Sequence, residues 1–305
     1  MGLLSRARHL ARRVVQRGKR SVVLTQETAG LGNFLYEWRY AWSERQSGRD
    51  VVCLATPKME PWLRVFGAAA VPLVVRRDQM RLTDRRIREV HNEFGVHFGA
   101  QDLEVFAAGF LEPSGVIDLA QVPVEQRMTD SDVLINVRRG DYFSVDAHRR
   151  SYAFDVDEYL SAALDIARAH GPIDRIHLVS DGPDWCREKL GWLADHCGRL
   201  TIEDEGLPPE THLAIVSNAP RLILTNSTFS YWAGYLSAWR FGQPDRVIAP
   251  WFHTRDHAGG EAWQLDPRWS IVRDIPSGWA LPEPCLADPP RVVREWAPSP
   301  IKQGA

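Results

Sequence analysis

The sequence predicts an α/β protein built from two doubly wound units, and three observations predict it. Short β-branched runs alternate with amphipathic helical stretches, most regularly between residues 133 and 249, and strands that alternate with helices pair in parallel. Gly30-Leu31-Gly32 stands between a strand candidate and a helix candidate, as the turn of a βαβ unit does. The length, 305 residues, suits one large domain or two ordinary ones.

In the first unit, residues 21–25 form a β-branched run. Phe34, Leu35, Trp38, Ala41 and Trp42 then recur at helical spacing, and Gly48 suits the stop. Residues 51–56 read as a second strand and 71–75 as a third, while the remainder of 57–128 carries little signal. In the second unit, 133–137 is a buried-strand run. Asp155 with Glu158 three residues on resembles a capping box, opening a helix that stops before Gly171. Strands follow at 175–180, 200–202, 222–225 and 247–249, with helices at 183–196, 208–217 and 228–241 between them. The units divide near 125–132, giving a first domain over 21–128 and a second over 129–275. The segment 276–305 is rich in proline and reads as an extended tail.

Composition narrows the function classes. With 44% hydrophobic and 25% charged residues the chain reads as globular, and a net charge of −2 gives no pull toward nucleic acid. Four cysteines (53, 186, 197 and 285) lack C-x-x-C spacing and read as reduced thiols of a cytosolic protein. No apolar run approaches the roughly 20 residues that span a bilayer. Residues 1–20 stand apart. Arg6, Arg8, Arg12, Arg13, Arg17, Lys19 and Arg20 are interrupted by no acid, and Leu3, Leu4, Ala7, Leu10, Ala11, Val14 and Val15 form an apolar stripe. Such a segment suits peripheral contact with the inner membrane face; a helix packed on its own domain and a frayed tail are the alternatives. It is not a secretory signal, because no continuous apolar stretch follows the charges.

Ligands of open parallel sheets bind beyond the carboxyl ends of the strands. Arg138, Arg139 and Asp141 follow the strand at 133–137, Ser180 and Asp181 end or follow the next, and Glu203 and Asp204 the one after. Asn226, Ser227 and Thr228 follow the strand at 222–225, at the mouth of a helix, and Trp251, Phe252 and His253 follow the last. Guanidinium grips phosphate bidentately, and a helix N-terminus favours an anion. This pattern predicts a diphosphate cradle without a metal. Asp130-Ser131-Asp132 has the form of a D-x-D metal motif but precedes its strand, at the wrong end of the sheet. Asn226-Ser227-Thr228 has the form of a glycosylation sequon, which we read as coincidence. Gly30-Leu31-Gly32 is no dinucleotide fingerprint, because Leu35 stands where its third glycine belongs.

At these residues the sequence resembles the α-1,2-fucosyltransferase family (glycosyltransferase family 11-like) and the related α-1,6- and protein O-fucosyltransferases. INVRRGDY, at 135–142, is similar to the family's H-x-R-R-x-D motif. IHLVSDGPDW, at 176–185, resembles its F-S-D-D-x-x-W segment, LTNSTFSYW, at 224–232, its A-N-S-T-F-S-W-W segment, and GLGN, at 30–33, its N-terminal loop. The resemblance implies a GT-B-like fold of two Rossmann-type domains, with mostly parallel sheets facing a central cleft. It implies metal-independent, inverting transfer of fucose from GDP-fucose to a glycan, with no cofactor. On that reading Arg138 holds the leaving β-phosphate, with Arg139 and Asp141 beside it. Ser180 and Asp181 lie at the nucleoside, Asn226, Ser227, Thr228 and Phe229 at the diphosphate, and Gly32 and Asn33 where the first domain approaches the donor. Asp146, ten positions after the motif histidine's place, corresponds to the α-1,6 relatives' base, with Asp141 and His148 as nearby rivals. Asn136 replaces the motif histidine and Phe34 the glutamine after GLGN, and both changes bear on sugar and acceptor specificity. A transferase of another nucleotide sugar, or a non-catalytic nucleotide-sugar or glycan binder, are the competing expectations.

Overall fold

The structure is a computed structural model and describes residues 20–203, 207–256 and 260–281. The expectations for the basic segment before Arg20, for Asp204, for Cys285 and for the proline-rich tail beyond 281 therefore lie outside the described residues.

The first domain runs β1 (Ser21–Val23), α1 (Leu31–Gln46), β2 (Val51–Leu54), α2 (Glu60–Ala70), β3 (Val74–Val75) and β4 (Arg85–Ile87). Its four strands are all parallel, in the order β3-β2-β1-β4. The strand expected at 71–75 is shorter, because Val71–Leu73 is a 3-10 turn with a proline inside it. Strand β4 has too polar a sequence, Arg-Arg-Ile, to announce itself; it is an edge strand, where charge is tolerated. One face of this sheet buries Val22, Val52, Leu54 and Val75, with Met80 from the connection after β3 packed against them.

Helix α3 (Ala100–Phe106) continues through a π-helical turn (Ala107–Leu111) that the sequence did not signal. The second domain runs β5 (Asp132–Val137), α4 (Gly140–Ser144), α5 (Asp146–Tyr152), α6 (Val156–Ala169), β6 (Arg175–Ser180), α7 (Pro183–Lys189), β7 (Arg199–Ile202), α8 (Pro209–Ser217), β8 (Leu222–Leu224), α9 (Thr228–Phe241), β9 (Val247–Pro250) and β10 (Ser270–Val272). The helix expected over 183–196 breaks after Lys189 into a 3-10 segment. Asp155 caps α6 by accepting from the Glu158 amide at 3.0 Å, but the reciprocal half of the box is absent: the Glu158 carboxylate accepts instead from the Ser277 amide at 2.8 Å. That bond ties the chain beyond β10 back to the domain.

The six strands are all parallel, in the order β10-β9-β8-β5-β6-β7. Numbered within the domain this is 6-5-4-1-2-3, the doubly wound Rossmann order, and the first sheet repeats its half. Two such sheets facing a cleft make the fold GT-B-like. A shared aromatic core joins them. Tyr36 of α1 packs on Trp232 of α9 (ring centroids 5.1 Å apart) and its hydroxyl meets that of Tyr235 at 2.9 Å. Phe106 lies 5.6 Å from Trp232. Helices α1 and α9 are therefore pressed together along their buried faces, which sets the positions of their N-termini. Cys53, Cys186 and Cys197 take part in no disulfide among the described residues.

Candidate active site

In the second sheet the chain leaves β5 toward β6 on one side and returns through β8 on the other. The crevice between β5 and β8 is thus the topological switch point, where such sheets bind ligands. Two of the segments singled out in the sequence stand there. The Arg138 amide donates to the Thr225 hydroxyl at 2.8 Å, which stitches the end of β5 to the end of β8. Ser227 caps α9, accepting from the Ser230 amide at 3.0 Å. Above this edge lies a cavity of about 500 Å³, lined from the second domain by Arg138, Asp141, Ser180, Asp181, Ser227, Thr228 and Phe229. From the first domain Gly32 and Asn33 close it, with Lys58 and Trp62.

The Arg138 guanidinium is held by two carboxylates, Asp181 on one side and Asp141 on the other, and lies over the Tyr142 ring at 5.3 Å. Burial acts to lower its pKa, but Asp181 and Asp141 outweigh that and hold it firmly charged. Asp181 also accepts from the Arg139 amide at 2.6 Å. Gly140 makes this cage feasible: its φ is +29°, and a Cβ there would lie 2.3 Å from the Asp181 carboxylate. A glycine between the arginines and Asp141 is a steric requirement of the cage.

Gly32 has a matching role across the cleft. A Cβ on it would stand 2.4 Å from the Thr228 carbonyl carbon and 2.5 Å from the Phe229 nitrogen. The N-termini of α1 and α9, from different domains, thus meet backbone to backbone at one point on the cavity wall. Both carry free N–H groups and the positive end of a helix dipole.

Three expectations change on the structure. Arg139 does not face the cavity. Its guanidinium is sandwiched between Phe143 (3.4 Å to the ring centroid) and Trp185 (3.9 Å), because Arg139 lies past the end of β5, where the backbone (φ −120°, ψ −80°) turns into α4. Asn226 is buried, and its amide donates to the carbonyls of Tyr152 (2.9 Å) and His253 (2.8 Å), so it fastens loops together; such an asparagine is also no glycan acceptor. Asp146 opens α5 outside the cavity lining, where Arg149 and Arg150 pair with it at the surface. The rivals Asp141 and His148 both line the cavity, with His148 Nδ1 at 3.4 Å from the Asp141 carboxylate.

Asn136, in the place of the motif histidine, forms part of the cavity floor. Its amide donates to the Val179 carbonyl at 3.1 Å and its oxygen accepts from the Ser230 hydroxyl at 2.6 Å, so it braces the first turn of α9. The reading missed Lys58 and Trp62, which the same rule of strand ends, applied after β2, points to. Glu37 of α1, outside the cavity lining, accepts from Thr25 and is pushed up to about 7 by burial. Among the described residues no group of three His, Cys, Asp or Glu side chains is placed to hold a metal ion.

Fold and site together define a class: a GT-B-like α/β protein with a cleft, lined by Arg138 and the starts of two helices, at the switch point of its second sheet. Residues 116–241 match the family model described as Glycosyl transferase family 11, which bears out the resemblance read in the segments at 135–142, 176–185 and 224–232. Galactoside alpha-(1,2)-fucosyltransferase 1 of Leontocebus fuscicollis is 30% identical over 159 residues, covering 49% of this chain and 41% of that protein. The Homo sapiens protein of the same name gives the same figures. The match thus spans about two fifths of the length of these relatives. Among solved structures, E. coli heptosyltransferase WaaC with ADP overlaps 86% of this chain and 95% of its own at 11% identity, with a TM-score of 0.44.

Proposed function

We propose that this chain is an inverting glycosyltransferase that moves fucose from GDP-fucose to a glycan hydroxyl without a metal ion. The observation that carries the reading is Arg138, set at the switch point and facing the N-terminus of α9 across a cavity of nucleotide-sugar size. The likeness of part of the chain to galactoside alpha-(1,2)-fucosyltransferases supports the choice of fucose as the sugar. Cleavage of the bond between the sugar and the β-phosphate leaves positive charge on the sugar and negative charge on the diphosphate. The Arg138 guanidinium and the N–H groups at the starts of α1 and α9 are fixed where that negative charge grows, so they need little rearrangement in the transition state. With Arg138 charged between two carboxylates, an incoming diphosphate competes with Asp141 and Asp181 for the guanidinium.

The same site supplies a base. Nδ1–H of His148 directed at Asp141 leaves Nε2 to accept the proton of the acceptor hydroxyl. Asp141 then links the two halves of the reaction, holding Arg138 with one oxygen and orienting His148 with the other. A second reading, another nucleotide sugar, is favoured by Asn136, whose amide puts different groups on the cavity floor from those of an imidazole.

Two measurements test this. GDP release from GDP-fucose with a panel of glycan acceptors is expected to fall by about 10²–10³ in kcat for Arg138→Ala, with the fold retained. Full activity in that variant removes the diphosphate clamp. Among GDP-, UDP- and CMP-sugars, GDP-fucose is expected to raise the melting midpoint most; a rise with another sugar alone moves the assignment to that donor.

A further inference from the structure

We infer that the arginine-rich face beside β4 docks on the headgroup surface of an anionic lipid bilayer. Between residues 76 and 88, Arg76, Arg77, Arg81, Arg85, Arg86 and Arg88 stand against only Asp78 and Asp84. All six arginines are exposed. Arg76 and Arg77 are paired across the loop, with Glu60 at 3.3 Å and Glu27 at 3.7 Å, and Asp84 is taken by Arg20 at 2.6 Å. Among the described residues nothing bonds to the guanidinium groups of Arg81, Arg85, Arg86 and Arg88. Leu82, between them in sequence, is fully exposed.

Charge on an edge strand has an ordinary use, since it discourages pairing with another chain. That accounts for Arg85 and Arg86 on β4. It does not account for Leu82, an apolar side chain presented to water at a loop tip, nor for Arg81 beside it. An exposed leucine with unpaired arginines close to it in the sequence suits a surface that is apolar inside and phosphate-coated outside: the leucine reaches the acyl boundary while the guanidinium groups meet the phosphates. The position of Arg20 points the same way. Its guanidinium donates to the Gln79 carbonyl at 2.7 Å and pairs with Asp84, so the described chain begins on this loop. The stretch leading into it carries Arg6, Arg8, Arg12, Arg13, Arg17 and Lys19 and no acid. In the sequence, that basic stretch therefore leads directly into the residue that is bonded to this loop. The inference does not depend on which sugar the cleft takes.

The test is flotation of the full chain with vesicles of phosphatidylcholine alone and of phosphatidylcholine mixed with phosphatidylglycerol. Binding is expected only to the mixed vesicles and is released by high salt. Each of Arg81→Ala, Arg86→Ala and Arg88→Ala is expected to lower the partition constant by about fivefold, the equivalent of ~1 kcal/mol per cation at such a surface. Leu82→Ser lowers it further, and none of these changes the melting midpoint, because the side chains have no partners to lose. If the triple alanine variant floats as well as the wild type, the face is not the docking surface and the stretch before Arg20 acts alone. Equal binding to neutral vesicles, or retention on soluble dextran sulfate with no vesicle binding, also overturns the inference; the latter assigns the face to an acidic glycan.

Discussion

Replacing Gly32 by alanine tests the meeting of the two helix N-termini, on which the cleft depends. The added Cβ would stand 2.4 Å from the Thr228 carbonyl carbon and 2.5 Å from both the Phe229 nitrogen and the Thr228 hydroxyl. Carbon atoms in contact sit about 3.5–4.0 Å apart, so the overlap exceeds about 1 Å. Two of the three atoms are backbone and cannot swing aside. The helices cannot simply part either, because Tyr36 is packed on Trp232 and bonded to Tyr235 one turn further along. Such overpacking costs about 1–3 kcal/mol. For a chain of this size that corresponds to a melting midpoint lower by on the order of 5 °C. A displacement of about 1 Å between the two halves of an anion site is expected to lower the rate of GDP release by about a hundredfold. The assay pairs calorimetry with kcat/KM for Gly32→Ala and Gly30→Ala. Gly30 has extended backbone (φ −106°, ψ −177°) and a Cβ on it meets nothing within 4 Å, so its variant should melt as the wild type does. A Gly32→Ala protein with unchanged midpoint and kcat/KM, or a Gly30→Ala protein that loses as much stability, refutes the reasoning.

Other outcomes follow from the titrating groups. The Glu37 carboxyl, pushed up from 4.5 to about 7 by burial against the hydrogen bond from Thr25, holds its proton in the fold after the unfolded chain has lost it. Stability contributed by this site is therefore present below pH 4.5 and is lost as pH rises to about 7, a penalty on the order of 3 kcal/mol. Glu37→Gln keeps an acceptor for Thr25 and is expected to raise the urea midpoint at pH 8 while changing little at pH 5; an equal gain at both would contradict the shift. At the cleft, His148→Asn is expected to lower kcat by about 10²–10⁴, whereas Asp146→Asn, out at the surface with Arg149 and Arg150, should leave kcat nearly unchanged. The reverse pattern returns the base to Asp146.

The order of residues alone is enough to read the alternation of strands and helices in the second domain, the ends of those strands, and the concentration of Arg138, Asp181 and Ser227 at one edge. All of these are local signals: β-branched runs, caps and turn residues, read within a few positions of each other. The short edge strands β4 and β10 were not legible, since three residues on a sheet margin need no apolar pattern. Which polar groups share a cavity depends instead on how the elements pack. Arg138 and Arg139 are adjacent and identical in the chain, yet the turn from β5 into α4 leaves one at the cleft and sets the other between Phe143 and Trp185. Asp141, Asp146 and His148 look equivalent along the sequence, and the turn between α4 and α5 brings two of them inward and leaves the third with surface arginines. Gly32 reads as one glycine of a loop until α9, nearly two hundred residues away, is seen against its Cα. Strand and helix follow from neighbours in the chain, whereas a site is made by neighbours in space, and those are fixed only when the two domains pack through their shared aromatic core.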